Sequence, residues 1–542
     1  MNRRTFLAGS SGAGLLAGLP ADVLAQAVPP PSQPSSSSWD HGKVRHILPT
    51  VSDTAFLIKV SFNAPRQAVP LLKINDASTA GHMTDTAGLF WQFLITDLQP
   101  GREHTLSLVD PGSGALCEPW KLSTFPAVDS KVDHCRVLFY TCAGGYANMG
   151  TAVGSFLPPE IRNRLLRRAL SFSPHAVVAN GDHVYWDLLA PKASPMLGAS
   201  PEAIKIAGTF DRSMPGLGGK NETVLKLATG PQIQPVYGTD FRSTPVFFIQ
   251  DDHDYFDNDE ATDQIITFPP SWFMLQLARA TQSLYYPEYL PDLTRPLGLP
   301  SSDAGDRLGK VSETFGTLRY GSLVEVLLYD IRRTLTLAGP SAVYVDREAE
   351  KWLINRTRAS AKEVTHLVHA PSNPPGWSAG KWGEWYPDVL GSDGKLTVAT
   401  PKPYWQPGWL SQHDRLVKAM GENRERIPLI ISGDLHAVAI GQMKRSGDID
   451  LGKNPVTAVL SGPIGTSPGG WPSAFRGVGA MPPRHLDMVE EVKPIEQHSF
   501  TMVDFERDKI TLRFFKWDLK SQPPEAIDSL QPFHSTVLTR HA

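Results

Sequence analysis

Cysteine is scarce in this 542-residue chain: Cys117, Cys135 and Cys142 are the full set. Three thiols cannot staple a chain of this length, which excludes a disulfide-framework protein, and an odd number leaves at least one sulfur free or bound to something else. Excess charge of either sign is also lacking. With 52 Lys and Arg against 55 Asp and Glu the net charge is -3, so no basic surplus marks nucleic acid or anionic membrane as a partner, and no nucleic-acid-binding domain is expected. Long hydrophobic runs are missing too. Beyond the N-terminal segment nothing approaches the ~20 consecutive apolar residues of a membrane span. What is present is ordinary apolar content, 41%, in a chain long enough for a large core and more than one domain.

The first residues read as an address. Asn2-Arg3-Arg4-Thr5-Phe6-Leu7 is followed by a weakly apolar Gly/Ala-rich stretch and by Ala25-Gln26-Ala27, a small-x-small cleavage signal. These regions, in that order, resemble a twin-arginine signal cleaved after Ala27. The resemblance implies the twin-arginine export machinery as a partner and a passenger that folds around its cofactor before transport. It also implies a mature protein in the periplasm or outside the cell. Residues 28–42, rich in Pro and Ser, read as a linker.

Residues 43–127 hold short β-type runs at 55–62, 89–95 and 104–109, with the turn Leu98-Gln99-Pro100-Gly101 before the third. Short strands at turn-punctuated spacing argue a small β-sandwich. Leu98-x-Pro-Gly-x-x-His104-x-Leu106, closing with Ser123-Thr124-Phe125-Pro126, resembles a fibronectin type III module with a structural role. From 131 to 542 strand-like runs alternate with helix-like stretches at 158–170 and 346–353, which argues an α/β architecture. The Gly- and Pro-rich stretch from about 188 to 240 reads as loop and cap around a site.

Four apolar runs in this second region end in metal-ligand or acid/base residues. They lead to Cys142, to Gly181-Asp182-His183-Val184-Tyr185, to Asp251-Asp252-His253-Asp254 and to Gly433-Asp434-Leu435-His436. In an α/β sheet, ligands bind beyond the carboxyl ends of the strands, so the four tails are expected to converge. Gly-Asp-x-x-Tyr lets one turn aim a carboxylate and a phenol at a single cation. Asp182 is expected to bridge two metals. A phenolate and a thiolate favour Fe(III), which assigns Cys142, Tyr185 and His436 to the first metal. Asp252 and Asp434, with Asp251 ahead of them, form an all-oxygen set that favours a hard second cation such as Ca²⁺, Mg²⁺ or Mn²⁺ over Zn²⁺. Cys142 read as a plain buried thiol remains open. His183, between two ligands, is expected to point elsewhere. Cys117 and Cys135 could pair in an oxidising compartment.

The set Gly-Asp-x-x-Tyr, Asp-Asp-His-Asp and Gly-Asp-x-His resembles the binuclear metallophosphatase superfamily, in particular its PhoD-like alkaline phosphatase and phosphodiesterase branch. The likeness implies a β-sandwich core flanked by helices, with iron(III) and calcium as cofactors. It further implies hydrolysis of phosphate esters by a metal-bound hydroxide attacking phosphorus, with a phospholipase D-type diesterase as the alternative and a non-catalytic binding module as a more distant one. Asp252 stands where most of the superfamily has Asn. His253 then stabilises the transition state or protonates the leaving group, and Asp254 orients it. Asp330-Ile331-Arg332-Arg333 resembles the branch's Asp-Thr-Arg signature, which makes Arg332 a phosphate clamp. His369, in Val368-His369-Ala370-Pro371, resembles a ligand of other branches and stands between a second-metal ligand and a structural histidine. Asp257 and Asn258 match the tail of the acidic motif, or else stabilise a loop.

The N-terminal pattern has a direct consequence. Replacing both Arg3 and Arg4 by Lys should strand precursor in the cytoplasm, because export would depend on the paired guanidinium groups; fractionation of the producing cells reads the outcome, and undiminished export through the general secretory route would refute the twin-arginine reading.

Overall fold

The four apolar runs are β-rich and nearly continuous in hydrophobicity, the pattern of strands covered on both faces. In the computed structural model the described residues are 39–75, 77–146, 156–186, 201–255, 269–300, 305–381, 383–400, 402, 404–465, 473 and 477–540. The N-terminal signal and most of the linker, Asp257, Asn258 and residues 187–200 lie outside them.

Three of the runs, Val246–Ile249, Ala176–Asn180 and His134–Tyr140, lie side by side and parallel. They continue antiparallel into His498–Glu506, Lys509–Trp517 and His534–Thr539, completing a six-stranded sheet. The fourth run, Leu429–Ser432, lies in an eight-stranded sheet. There it runs parallel to His366–Pro371 on one side and Val456–Ser461 on the other, with Val324–Tyr329 next along, also parallel.

Helices cover the outer faces. Leu165, Leu166 and Ala169 of the helix Pro159–Leu170 pack with Leu138, Tyr140, Val177 and Ala179 of the first sheet. On the second sheet, Leu353 of Arg347–Arg358 and Leu416 of Pro407–Glu422 pack with Leu327, Leu367 and Ile430. Asp346 caps the helix Arg347–Arg358 by accepting from the Glu348 amide at 2.8 Å, which satisfies one of its otherwise unpaired first-turn donors. The inner faces of the two sheets are stitched together by polar contacts. The Asn180 side-chain amide donates to Pro371 O at 3.0 Å and Ile431 O at 3.3 Å. Thr501 Oγ1 donates to Ser461 O at 3.0 Å.

Two smaller antiparallel sheets precede this core. One orders Val44–Val51, Phe56–Phe62, Phe90–Ile95 and His82–Met83; the other is built on Leu71–Ile74 and Glu103–Asp110. They are not packed apart from the rest, because residues 41–542 form one compact unit. Lys59 on the first small sheet is fully buried with its ammonium 3.0 Å from Glu288 and donating to Ser283 O at 2.9 Å, while Lys226 reaches Asp85 at 2.6 Å.

The expected loop at 188–240 is corrected from residue 201 onward. Residues Pro201–Ala207 and Lys220–Tyr237 are helices. The longer one contains Pro231 and Pro235, each of which removes an amide donor and costs about 3 kcal/mol in a helix interior. Burial of Leu225, Ala228, Ile233, Val236 and Tyr237 in the core of the first sheet offsets that cost, as tertiary packing generally supplies most helical stability.

Burial in this fold also suppresses imidazole protonation. Desolvation lowers the pKa of His46 and of His366 from 6.5 to about 4, and that of His369 to about 3. An unfolded chain takes up these protons near pH 6.5 while the folded chain does not, so the stabilisation is complete above pH 6.5 and is lost as pH falls towards 4. At pH 5 each group should cost roughly 2 kcal/mol. Urea melts at pH 7.5 and pH 5 measure this; the pH slope should lessen in His369→Gln, and melts that coincide at the two pH values would show that these imidazoles titrate normally.

Candidate metal centre

The backbone turns sharply where each of three tails leaves its strand. Cys142, Asp182, Asp434 and His436 all adopt positive φ, at 53°, 57°, 68° and 49°. Such non-glycine conformations cost of order 1–3 kcal/mol each and persist only where surrounding contacts over-determine them. Here they do. The Cys142 amide donates to Gly181 O at 3.0 Å and the Gly144 amide to Asp182 O at 2.9 Å, while the Asp434 amide reaches Thr141 Oγ1 at 3.4 Å. Gly433 permits the close approach, since a Cβ there would sit 2.3 Å from Thr141 Oγ1 and 2.5 Å from Asn180 O.

Four donors meet at this junction. Cys142 Sγ lies 3.2 Å from Asp182 Oδ2 and Tyr185 Oη 3.1 Å from the same oxygen. Tyr185 Oη is 3.2 Å from His436 Nε2, which is 3.6 Å from Asp182 Oδ2. Separations of this kind match the edges of a coordination shell whose bonds are about 2.0–2.3 Å. Burial, reinforced by the Asp182 charge, pushes both the Cys142 thiol and the Tyr185 phenol well above their usual pKa. A bound cation reverses that balance, because a coordinating thiol is deprotonated outright. Asp182 Oδ1 is buried with no hydrogen-bond partner, the condition in which a polar atom is expected to meet an ion or water. These residues fit the first metal.

Beside them Asp251, Asp252 and Asp434 bring carboxylate oxygens within 4.8 Å of one another, and a further group joins Asp182, Asp252 and His253. The all-acid set is shared with cations. Lys381 Nζ lies 2.8 Å from Asp434 Oδ1 and 3.5 Å from Asp252 Oδ2. Arg332 Nε lies 2.7 Å from Asp251 Oδ1, and a terminal guanidinium nitrogen lies 3.2 Å from Asp434 Oδ2. Burial acts to raise the Asp252 pKa, but Lys381, His253 and Arg332 overcome it and hold the group well below the usual carboxylate range. For a second divalent metal the fit is partial: Asp251 Oδ1 and both oxygens of Asp434 already carry charge-assisted hydrogen bonds, while Asp251 Oδ2 and both oxygens of Asp252 have no hydrogen-bond partner.

His253 is only partly buried and its ring packs on Tyr185 at 4.3 Å between centroids. It is the least buried member of the assembly.

Two site expectations, for Asp254 and Arg332, are corrected, and the open choice at His369 falls to the structural histidine. Asp254 does not orient His253. Its carboxylate accepts from the amides of Asp182 and His183 at 2.9 Å, of Val184 at 3.0 Å and of Asp251 at 3.0 Å, so it shapes the loop that carries Asp182. His369 is no ligand: its Nδ1 is 3.1 Å from Tyr329 Oη and its Nε2 2.9 Å from Thr357 Oγ1, and both nitrogens are engaged inside the sheet. Arg332 is fully buried and bonded to Asp251, Asp434 and Gly383 O, so it organises carboxylates instead of standing open as a phosphate clamp. Cys135 is an unpaired buried thiol within its strand, which leaves no bridge to Cys117. His183 does point away, with Nε2 at 2.8 Å from Ile249 O.

The comparisons bear on the fold. The solved structure of PhoD superposes with a TM-score of 0.57 at 13% identity, covering 94% of this chain and 92% of that one. A purple acid phosphatase from yellow lupin (Lupinus luteus) seeds gives a TM-score of 0.54 at 11% identity, over 92% of this chain and 75% of that one. The chain shares its fold with these two proteins. No protein-family model and no curated protein matches the chain. The assembly described above lies at the strand ends where the two sheets meet.

Sequence reading missed Lys381 and Gln232. Gln232 Oε1 accepts from the Tyr185 amide at 2.9 Å and the Gly145 amide at 2.7 Å. Neither lies near a strand end, the only signal used. The tightest local dependence is on Asp254. Asp254→Ala should leave buried amides unpaired and lower stability by roughly 3 kcal/mol or more, with metal content falling in step, and Asp254→Asn, which retains an acceptor, should lie between; a denaturation series with metal analysis reads both. Unchanged stability in Asp254→Ala accompanied by slowed turnover would restore the orienting role.

Proposed function

We propose that this chain is a metal-dependent hydrolase of phosphate esters, of the alkaline phosphatase or phosphodiesterase type. The observation that carries it is the convergence of Cys142 Sγ, Asp182 Oδ2, Tyr185 Oη and His436 Nε2, with the partly exposed His253 beside them. Thiolate and phenolate ligation favours Fe(III). When bound, such a cation supplies charge to a phosphoryl oxygen and acidifies water. The protein's own groups supply the rest. Asp182 is fixed by its backbone bonds to Asp254 and presents one unpaired oxygen inward. His253 stands where it can give a proton to a leaving alkoxide, the step in which general acid catalysis is most useful. The Arg3-Arg4 pattern supports export by the twin-arginine route and a periplasmic or secreted location, compatible with a cofactor inserted before transport.

Nitrophenyl phosphate, bis-nitrophenyl phosphate and alkyl phosphates test this together. Asp182→Asn should lose metal and activity at once. His253→Ala should keep its metal, lower turnover by about 10²–10⁴-fold on alkyl esters and by less on nitrophenyl esters, whose leaving group departs without a proton. If His253→Ala stripped the metal, or slowed both ester classes equally, His253 would be a ligand or a ground-state contact and not the acid.

A further inference from the structure

The residues around Asp434 carry one step beyond this reading, on which it rests. Asp251, Asp252 and Asp434 form the carboxylate set suited to a second metal, yet two cationic side chains of the chain itself stand among them: Arg332 meets Asp251 Oδ1 and Asp434 Oδ2, and Lys381 meets Asp434 Oδ1 with Asp252 Oδ2 at 3.5 Å, while Asp251 Oδ2 and Asp252 Oδ1 are left without a partner. Neither is a surface group that has drifted inward. The Arg332 side chain is 0% exposed and the Lys381 side chain 3%, and the guanidinium is held from behind by Gly383 O at 2.9 Å.

The turn that delivers Lys381 is itself constructed. Glu384 accepts from Ser378 Oγ at 2.6 Å and from the Ala379 amide at 2.8 Å. The Gly380 amide donates to Ser378 Oγ at 3.0 Å, and the Gly376 amide to Tyr386 Oη at 2.9 Å. Lys402 lies 3.3 Å from Glu384 Oε2, so this anchoring carboxylate has its own counter-charge and does not compete for Lys381. Three carboxylates facing two fixed cations leave one net negative charge where a divalent ion would otherwise meet three. An ammonium has no vacant coordination position and three donors, so it can neutralise carboxylates without assembling a metal shell.

We propose that Lys381 is the built-in second cation of this site: the chain binds one metal tightly, through Cys142, Asp182, Tyr185 and His436, and Lys381 backed by Arg332 replaces the other. The consequence is a metallophosphatase fold run on one ion and a fixed ammonium. Metal analysis of the purified full-length protein after exhaustive dialysis, followed by calorimetric titration with Ca²⁺ and with Mn²⁺, tests it. The expected result is one metal per chain and no saturable second site in the wild type. Lys381→Met should open a second site that binds either ion roughly tenfold tighter or more than any residual wild-type binding, while Lys381→Arg should keep the wild-type stoichiometry. Two metals per wild-type chain would overturn the proposal whether or not the variants fold, as would a Lys381→Met protein that folds and gains no site. A chain without any metal would overturn the hydrolase reading itself, and this inference with it.

Discussion

Negative charge buried where two sheets meet is the constraint on which the rest of this molecule depends. Asp182, Asp251, Asp252, Asp254 and Asp434 are each 2% exposed or less. An ionised carboxylate removed from water costs several kcal/mol unless it is paired and hydrogen-bonded. The chain meets each one differently. Asp254 receives backbone amides, Asp251 receives Arg332, and Asp434 receives Arg332 and Lys381. Asp182 keeps one unpaired oxygen, and neither oxygen of Asp252 accepts a hydrogen bond. Asp251 likewise keeps one oxygen without a hydrogen-bond partner, so unmet acceptor capacity runs from Asp182 across Asp252 to Asp251.

The same constraint explains the strained backbone. Ligand side chains can crowd within hydrogen-bond distance of one another only if the strand ends turn abruptly, and positive φ at Cys142, Asp182, Asp434 and His436 is that turn. The cost is borne by the two sheets, whose inner faces are tied by Asn180 and Thr501 and whose outer faces are covered by helices. A preorganised site on rigid elements is what the proposed phosphoryl chemistry would demand, because most of such catalysis is positioning and charge.

Much of the architecture was legible in the chain before its structure was. Apolar runs ending in Asp182, Asp251 and Asp434 were legible as strands because burial on both faces demands continuous hydrophobicity. The helix Lys220–Tyr237 was not, because Pro231 and Pro235 argue locally against it and only packing on the sheet overrides them. The site divides in the same way. Cys142, Asp182, Tyr185 and His436 were legible as partners from spacing and donor chemistry. Asp254 and Arg332 were misjudged, and His369 was left undecided, for one shared reason. Each has a side chain that could do several things, and what it does is set by neighbours distant in the chain: the 182–184 amides, Tyr329 and Thr357, and Asp251 with Asp434.

By itself the sequence determined which residues could bind a metal and that they would end strands, since residue chemistry and hydrophobic pattern are local properties. It also determined the sparing use of cysteine and the absence of a long apolar run beyond the N-terminal segment. Only the tertiary structure decided how the charges are shared. Lys381 lies 53 residues from Asp434 and Arg332 lies 102 from it, and no spacing rule links them. Electrostatic energy falls off with distance in space and not with distance along the chain, so the partner of a buried charge is settled only when the chain has folded.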